Sequence, residues 1–401
     1  LLYRYEAKMV PAPVMTLEER MAKFRVSPTF GFVVEKPAMR LSERYNVWHD
    51  FCDGLPALIE SDPASVRPKI EAMPVIEIMD RLSYEEQRLA HGILCTMVSA
   101  YLFAYRSTKR PNSIPRSLSL PLYRVSLLLG VSPVVSHPCS CLCNWKRIKN
   151  ESDTTNVNAD DLDMIYFKFI RDDTNVWFFV LTLEIEFRLA PAIRAVANIC
   201  HLAAMAPALV TDAALETAFG DIIAALGKSG ALFERFKERM TPTAYYHGLR
   251  PYLWGYGKIE GGVTFEGLEH LGPQKHGGAS AAQSCSLQTL DAFLGAVHRS
   301  KETGEFMQEQ RGYMPRENRQ FVEWIEKVSK VPAVRAKITA HPKLADAIDA
   351  LHEFRSSHLQ AVALFILTQT KDHSEAGTGG SNLMNFLKTV RDEADSVIPP
   401  K

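Results

Sequence analysis

The chain is 401 residues long, with 46 Lys and Arg balanced by 46 Asp and Glu, so its formal net charge is zero. That length allows one large domain or two ordinary ones, and the charge balance offers no basic footprint for nucleic acid. No apolar run reaches the ~20 residues that span a bilayer, and seven cysteines, an odd count in a long chain, suit a reducing cytoplasm better than a disulfide scaffold.

In chain order, "LLYRYEAKMV" mixes charge with apolar residues and does not read as a signal peptide; lacking an initiator Met, it implies residues upstream. Helical punctuation follows. Thr16 with Glu19 and Ser83 with Glu86 fit the capping box, a side-chain oxygen at the first position and a Glu three residues on. Apolar periodicity predicts helices over 84–106, 212–240, 281–298, 341–370 and 383–396. Hairpin signatures are missing, so the chain reads as mostly α. One run, "VWFFVLTLEIEF" at 176–187, is β-branched and aromatic enough for propensity alone to predict a strand. The polar stretch 149–161 is the expected linker, dividing a smaller part, 1–158, from a larger part, 159–401. Cys139, Cys141 and Cys143 stand at i, i+2 spacing, which suits neither helical chelation nor a C-x2-4-C loop, and they are read as small packing residues.

The helix after "AHPK" carries the most informative pattern. Its apolar stripe runs Leu344, Ile348, Leu351, then Val362 and Phe365, and the missing members fall on Arg355 and His358. Both therefore point inward. His352 lies roughly 240° away from His358 at about 100° per residue, so the two cannot share an ion. A buried guanidinium needs an anion. Asp291, inside the stripe Leu287, Leu290, Leu294 and Val297, is one candidate, and a haem propionate is another. His358 is either a neutral core histidine bonded to backbone or a single axial ligand in an apolar cavity, the geometry haem requires. Without a C-x-x-C-H any haem is held non-covalently.

With those residues in hand, the sequence resembles the indoleamine 2,3-dioxygenase family. "FRSSHLQ" (354–360) is similar to its proximal-histidine helix, "GTGGSNLMNFLKTVR" (377–391) to its closing loop and last helix, and "GGASAAQS" (277–284) to its haem-edge segment. "YMPRENRQF" (313–321), "LRPYLWG" (249–255), "CNWKR" (143–147) and "LPALIES" (55–61) extend the likeness over most of the chain. The resemblance implies an all-α fold, with a small amino-terminal helical domain capping a larger one that holds haem b, and a helix at 176–187.

It further implies that His358 is the iron ligand, with Arg355 and Asp291 beside it and Ser280 and Ala281 at the haem edge. Phe178, Thr182 and Tyr245 would form the wall over the iron, with His137 at its rim. Arg250 would bind a substrate carboxylate, and Thr378 and Gly379 would belong to a loop near the substrate. That Gly-Thr-Gly-Gly loop is otherwise a linker before the final helix. Mammalian members have Ser, Phe and Tyr where Thr182, Tyr245 and His137 stand. The implied activity is insertion of O2 across the indole C2–C3 bond of L-tryptophan to give N-formylkynurenine. The implied protein is a cytoplasmic monomer served by an external reductant, touching neither membrane nor nucleic acid. A non-catalytic haem O2 carrier, and an oxygenase of another indole derivative, are the rival expectations.

Overall fold

A computed structural model describes residues 15–79, 81–105, 110–150, 156–296, 301–370, 377–378 and 383–394. The fold is all-α. The helices are α1 (Leu17–Lys23), α2 (Asn46–Ser61), α3 (Val66–Glu71), α4 (Tyr84–Phe103), α5 (Arg116–Leu129), α6 (His137–Ser140), α7 (Asp173–Arg188) and α8 (Ala190–Met205). They continue with α9 (Asp212–Ala231), α10 (Cys285–Leu294), α11 (Lys301–Gln310), α12 (Arg316–Ser329), α13 (Pro332–Ala340), α14 (Leu344–Phe365) and α15 (Leu383–Ala394). Strands among the described residues are two-residue pairs. Ser113–Ile114 runs parallel to Thr264–Phe265, and Lys146–Arg147 antiparallel to Leu162–Asp163.

Both expected capping boxes form: the Glu19 amide donates to Thr16 Oγ1 at 3.1 Å and the Glu86 amide to Ser83 Oγ at 3.2 Å. α10 stops at Gly295, whose φ of 90° lies in the left-handed region that favours glycine.

Residues 176–187 are helical, within α7, against the strand that propensity predicts. The reason is burial on every side. Nearly all of α7 from Thr174 to Phe187 is buried, so its apolar residues occupy all faces and periodicity carries no signal. The helix is started by Asp172, whose carboxylate accepts from the Thr174 amide at 2.8 Å. α4 is similarly enclosed.

α14 packs along α9 and α15, α9 also contacts α7 and α8, and α10 sits against α8 and α12. The polar stretch 149–161 leaves and rejoins at the antiparallel pair 146–147 and 162–163, and the Asn150 side chain donates to Asp161 Oδ2 at 2.9 Å. Buried apolar residues before and after it form one connected core. Among the described residues no helix is long and apolar enough to cross a membrane.

Candidate active site

α14 places its stripe as the spacing predicts. Leu344, Ile348, Leu351, Arg355 and Phe365 are buried. His358 and Val362 are half-buried because they border a cavity. Arg355 Nη2 lies 2.7 and 2.8 Å from the two carboxylate oxygens of Asp291, and Nη1 donates to the Val390 carbonyl at 3.1 Å. One guanidinium therefore ties α14 to α10 and α15. Its anion is Asp291. His352, on another face of α14, is half-buried.

His358 has no hydrogen bond among the described residues, whereas a backbone-bonded core histidine would need one. Its ring packs against Phe233 at 5.5 Å between centroids. Burial, reinforced by the Arg355 charge, lowers its pKa to about 4. The result is a neutral imidazole with open nitrogen lone-pair capacity, the form a metal ion requires.

The cavity beside it, counted together with the solvent at its open mouth, spans about 1340 Å³ of atom-free space. Its wall is mainly apolar, including Phe178, Phe233, Phe236, Tyr245, Val362 and Phe365. A haem fits this donor set, since one neutral imidazole, without a hydrogen bond among the described residues, meets a mainly apolar cavity with no second histidine or cysteine one turn away on α14.

α7 contributes a face at i, i+4 and i+8: Phe178, Thr182 and Glu186 all border the cavity. The Phe178 and Tyr245 rings are 5.0 Å apart and tilted. Thr182 Oγ1 donates to the Phe178 carbonyl at 2.6 Å, so its hydroxyl is already engaged by its own helix. Burial pushes the Tyr245 phenol up to about 12, keeping it neutral.

Sequence reasoning missed Glu186. It is buried, accepts hydrogen bonds from Ser284 and Ser286, each at 2.6 Å, and sits 2.9 Å from His137 Nε2. Burial alone would raise this carboxyl, but His137 and the two serines outweigh it and hold the group below its usual range. Burial likewise opposes a charge on His137, yet Cys141 and Glu186 together raise that imidazole to about 10. The signal was in "LTLEIEF": once the run is helical, Glu186 stands one turn after Thr182.

Ser280 and Ala281 border the cavity on the segment 277–284. This segment crosses the stretch 253–255 so closely that a Cβ on Gly278 would come within 2.0 Å of the Leu253 carbonyl oxygen. The Ala279 amide donates to that oxygen at 3.0 Å. On its other side, the Gly278 amide donates to the Thr378 carbonyl at 2.9 Å, and Thr378 Oγ1 donates to the Ala279 carbonyl. Gly377 and Thr378 also line the cavity. Gly379 lies outside the described residues.

Arg250 is not on the cavity wall. It follows the π-helical turn Ala244–Leu249, is 1 % exposed, and its guanidinium lies 5.3 Å from the Tyr246 ring centroid. Tyr245, within that turn, does line the cavity, and the Arg250 charge is close enough to oppose the rise of its phenol.

The indoleamine 2,3-dioxygenase family model matches residues 20–397. The chain belongs to the indoleamine 2,3-dioxygenase family. It is 30% identical over 393 residues to indoleamine 2,3-dioxygenase 1 of Rattus norvegicus, covering 93% of this chain and 94% of the relative. It is 31% identical over 393 residues to a protein named myoglobin from Haliotis madaka, covering 94% of this chain and 98% of that one. Against indoleamine 2,3-dioxygenase of Saccharomyces cerevisiae, identity is 26% over 440 residues, covering 97% and 94%. Membership makes the chain an oxidoreductase of the indoleamine 2,3-dioxygenase type, dependent on haem and O2.

Proposed function

We propose that this protein converts L-tryptophan to N-formylkynurenine, with His358 as the sole protein ligand of a haem b. The observation that carries the reading is the neutral His358 imidazole, without a hydrogen bond among the described residues, facing an apolar cavity in a chain of this family. Bound there, the haem iron supplies the dioxygen chemistry that adds both oxygen atoms across the indole C2–C3 bond.

The chain's own contribution is orientation and exclusion of water. Phe178 and Tyr245 offer tilted rings for the indole to pack against. Thr182, spent on the Phe178 carbonyl, serves as wall and exchanges no proton with substrate. Thr378 pins its loop to Gly278 and Ala279, closing one side of the cavity. Arg355 and Asp291 fix the face of α14 that aims His358.

The resemblance gives the substrate carboxylate to Arg250, which would have to break its stack with Tyr246 to reach it. His137 is the cationic side chain already on the wall, and we assign it the carboxylate or its nearest approach, with Glu186 holding the imidazole in its charged form. Residues 1–158 act as the cap, delivering His137 and Cys141 on and beside α6. We place the enzyme in the cytoplasm as a monomer that depends on an external reductant.

The name of the abalone relative supports a second reading, a haem O2 carrier; with Arg250 off the wall, a carboxylate clamp does not by itself argue against it. Absorption spectroscopy with product analysis separates the two. The enzyme gives a Soret band that shifts on adding L-tryptophan and forms N-formylkynurenine under reductant. A carrier gives stable oxygenation indifferent to tryptophan, which overturns the proposal. Comparing L-tryptophan with tryptamine in His137→Leu and Arg250→Leu tests the assignment: His137→Leu should raise KM for L-tryptophan about tenfold or more while leaving tryptamine unchanged. If only Arg250→Leu does so, the carboxylate belongs to Arg250.

A further inference from the structure

Behind the cavity wall, α4 and α6 bring three metal-binding side chains together that the haem reading does not use. His91 and Cys95 stand one turn apart on α4, with Cys95 Sγ 3.8 Å from either ring nitrogen of His91. Cys139 on α6 completes the group. One ligand atom from each lies within 4.8 Å of the others, and all three residues are buried. Cys139 is held in place locally, its sulfur accepting from the Ser136 amide at 3.2 Å. Gly92 makes room for the lid of the pocket: a Cβ there would come within 2.1 Å of the Tyr166 ring. The Tyr166 hydroxyl donates to the Cys139 carbonyl at 2.7 Å.

Arg88, on the same helix, is the second observation. It is 2 % exposed, and its hydrogen bonds go to neutral groups, the Tyr84 hydroxyl and the Pro138 carbonyl, each at 2.8 Å. Among the described residues no carboxylate pairs with it. A buried guanidinium without an anion is costly, so negative charge belongs nearby, and the sulfur that acts on it most strongly is that of Cys143, 3.3 Å from the Tyr166 hydroxyl.

We propose that His91, Cys95 and Cys139 form a closed site for one monovalent soft cation, Cu(I). Two thiolates and an imidazole are soft ligands suited to that ion. One positive metal and two thiolates leave a net charge of −1, in surroundings that the buried Arg88 makes positive. Zn(II) with the same three ligands lacks the fourth ligand that structural zinc takes. Binding breaks two S–H bonds, forms two Cu–S bonds and one Cu–N bond, releases two protons, and changes no oxidation state. Because the site is enclosed, the ion enters as the chain folds.

The test uses haem-replete protein made in cells supplied with copper and purified anaerobically over a Cu(I) chelator, with metals counted by elemental mass spectrometry. About one copper per chain is expected, falling at least tenfold in Cys139→Ser and in His91→Gln and unchanged in Cys200→Ser, with the Soret band reporting a folded chain throughout. X-ray absorption at the copper edge of the wild type should read two sulfurs and one nitrogen, which keeps the proposal falsifiable if a variant does not fold. Wild type without copper, zinc in its place, copper retained by Cys139→Ser, or a Cys95–Cys139 disulfide in the purified chain each overturns it.

Discussion

Two histidines border the same cavity under opposite constraints. His358 has no hydrogen bond among the described residues, an arginine three residues before it on its own helix, and aromatic carbon around it. His137 has a carboxylate 2.9 Å away that is itself held by two serines. Burial disfavours a charge on both rings, but only His137 has anionic neighbours strong enough to reverse it. The lesson is that burial sets a histidine's protonation state where nothing anionic opposes it, as at His358, and loses to close anionic partners, as at His137. One cavity can therefore hold a neutral metal ligand and a cationic anchor made from the same residue type.

The comparison breaks most visibly at His358. His358→Ala should reduce haem retention by more than about 100-fold, since it removes the ligand itself while neighbours that support a ligand are already worth 10–100-fold; a Soret titration reads this, and full haem occupancy in the variant would contradict the assignment. Next comes the ion pair that steadies it. Asp291→Ala strands the buried Arg355, whose side chain is 8% exposed, and should cost about 3–5 kcal/mol in denaturant unfolding. Breaking the other partnership, Glu186→Gln should cost roughly 1.5–3 kcal/mol by loss of charged hydrogen bonds. Thr182→Ala is the smallest, about 1 kcal/mol or less with turnover changed by less than about tenfold, because its hydroxyl serves only its own helix.

pH sharpens the contrast, with opposite signs for the two rings. The His137 pKa is raised from 6.5 to about 10, so its contribution to stability is complete below pH 6.5 and is lost as pH climbs toward 10. The His358 pKa is lowered from 6.5 to about 4, so the haem-free protein loses stability as pH falls from 6.5 to 4. Haem-free His358→Ala should have a shallower acidic slope, the rest coming from His49, His201 and His276, whose pKa values burial also lowers, and Glu186→Gln should weaken the alkaline one, to which Cys141 also contributes. Identical slopes in wild type and both variants would show that neither ring is so constrained.

Much of the proximal side was legible in the sequence because a helix face imposes spacing: Arg355 and His358 interrupt a regular stripe, and Asp291 interrupts another. The geometry then joined Arg355 to Asp291. The opposite wall was less legible. A helix buried on all sides has no polar face, so residues 176–187 could not announce their period, and Glu186 hid within the same run. Arg250 shows a different limit. Its place in "LRPYLWG" matches the family segment, while the π-helical turn just before it, which leaves no spacing to read, carries Tyr245 of the cavity lining. The cluster of His91, Cys95 and Cys139 was illegible for a third reason: its members come from two helices far apart in the chain.

The segment 277–279 is bonded on one side to the Leu253 carbonyl and on the other to Thr378, and at Gly278 there is no room for even one extra carbon. Such a crossing has no slack. A side chain at 278 would have to force the 253–255 and 277–279 backbones apart, and with them the Thr378 contacts, so a single methyl group added there should disturb three separate stretches of chain bordering the cavity.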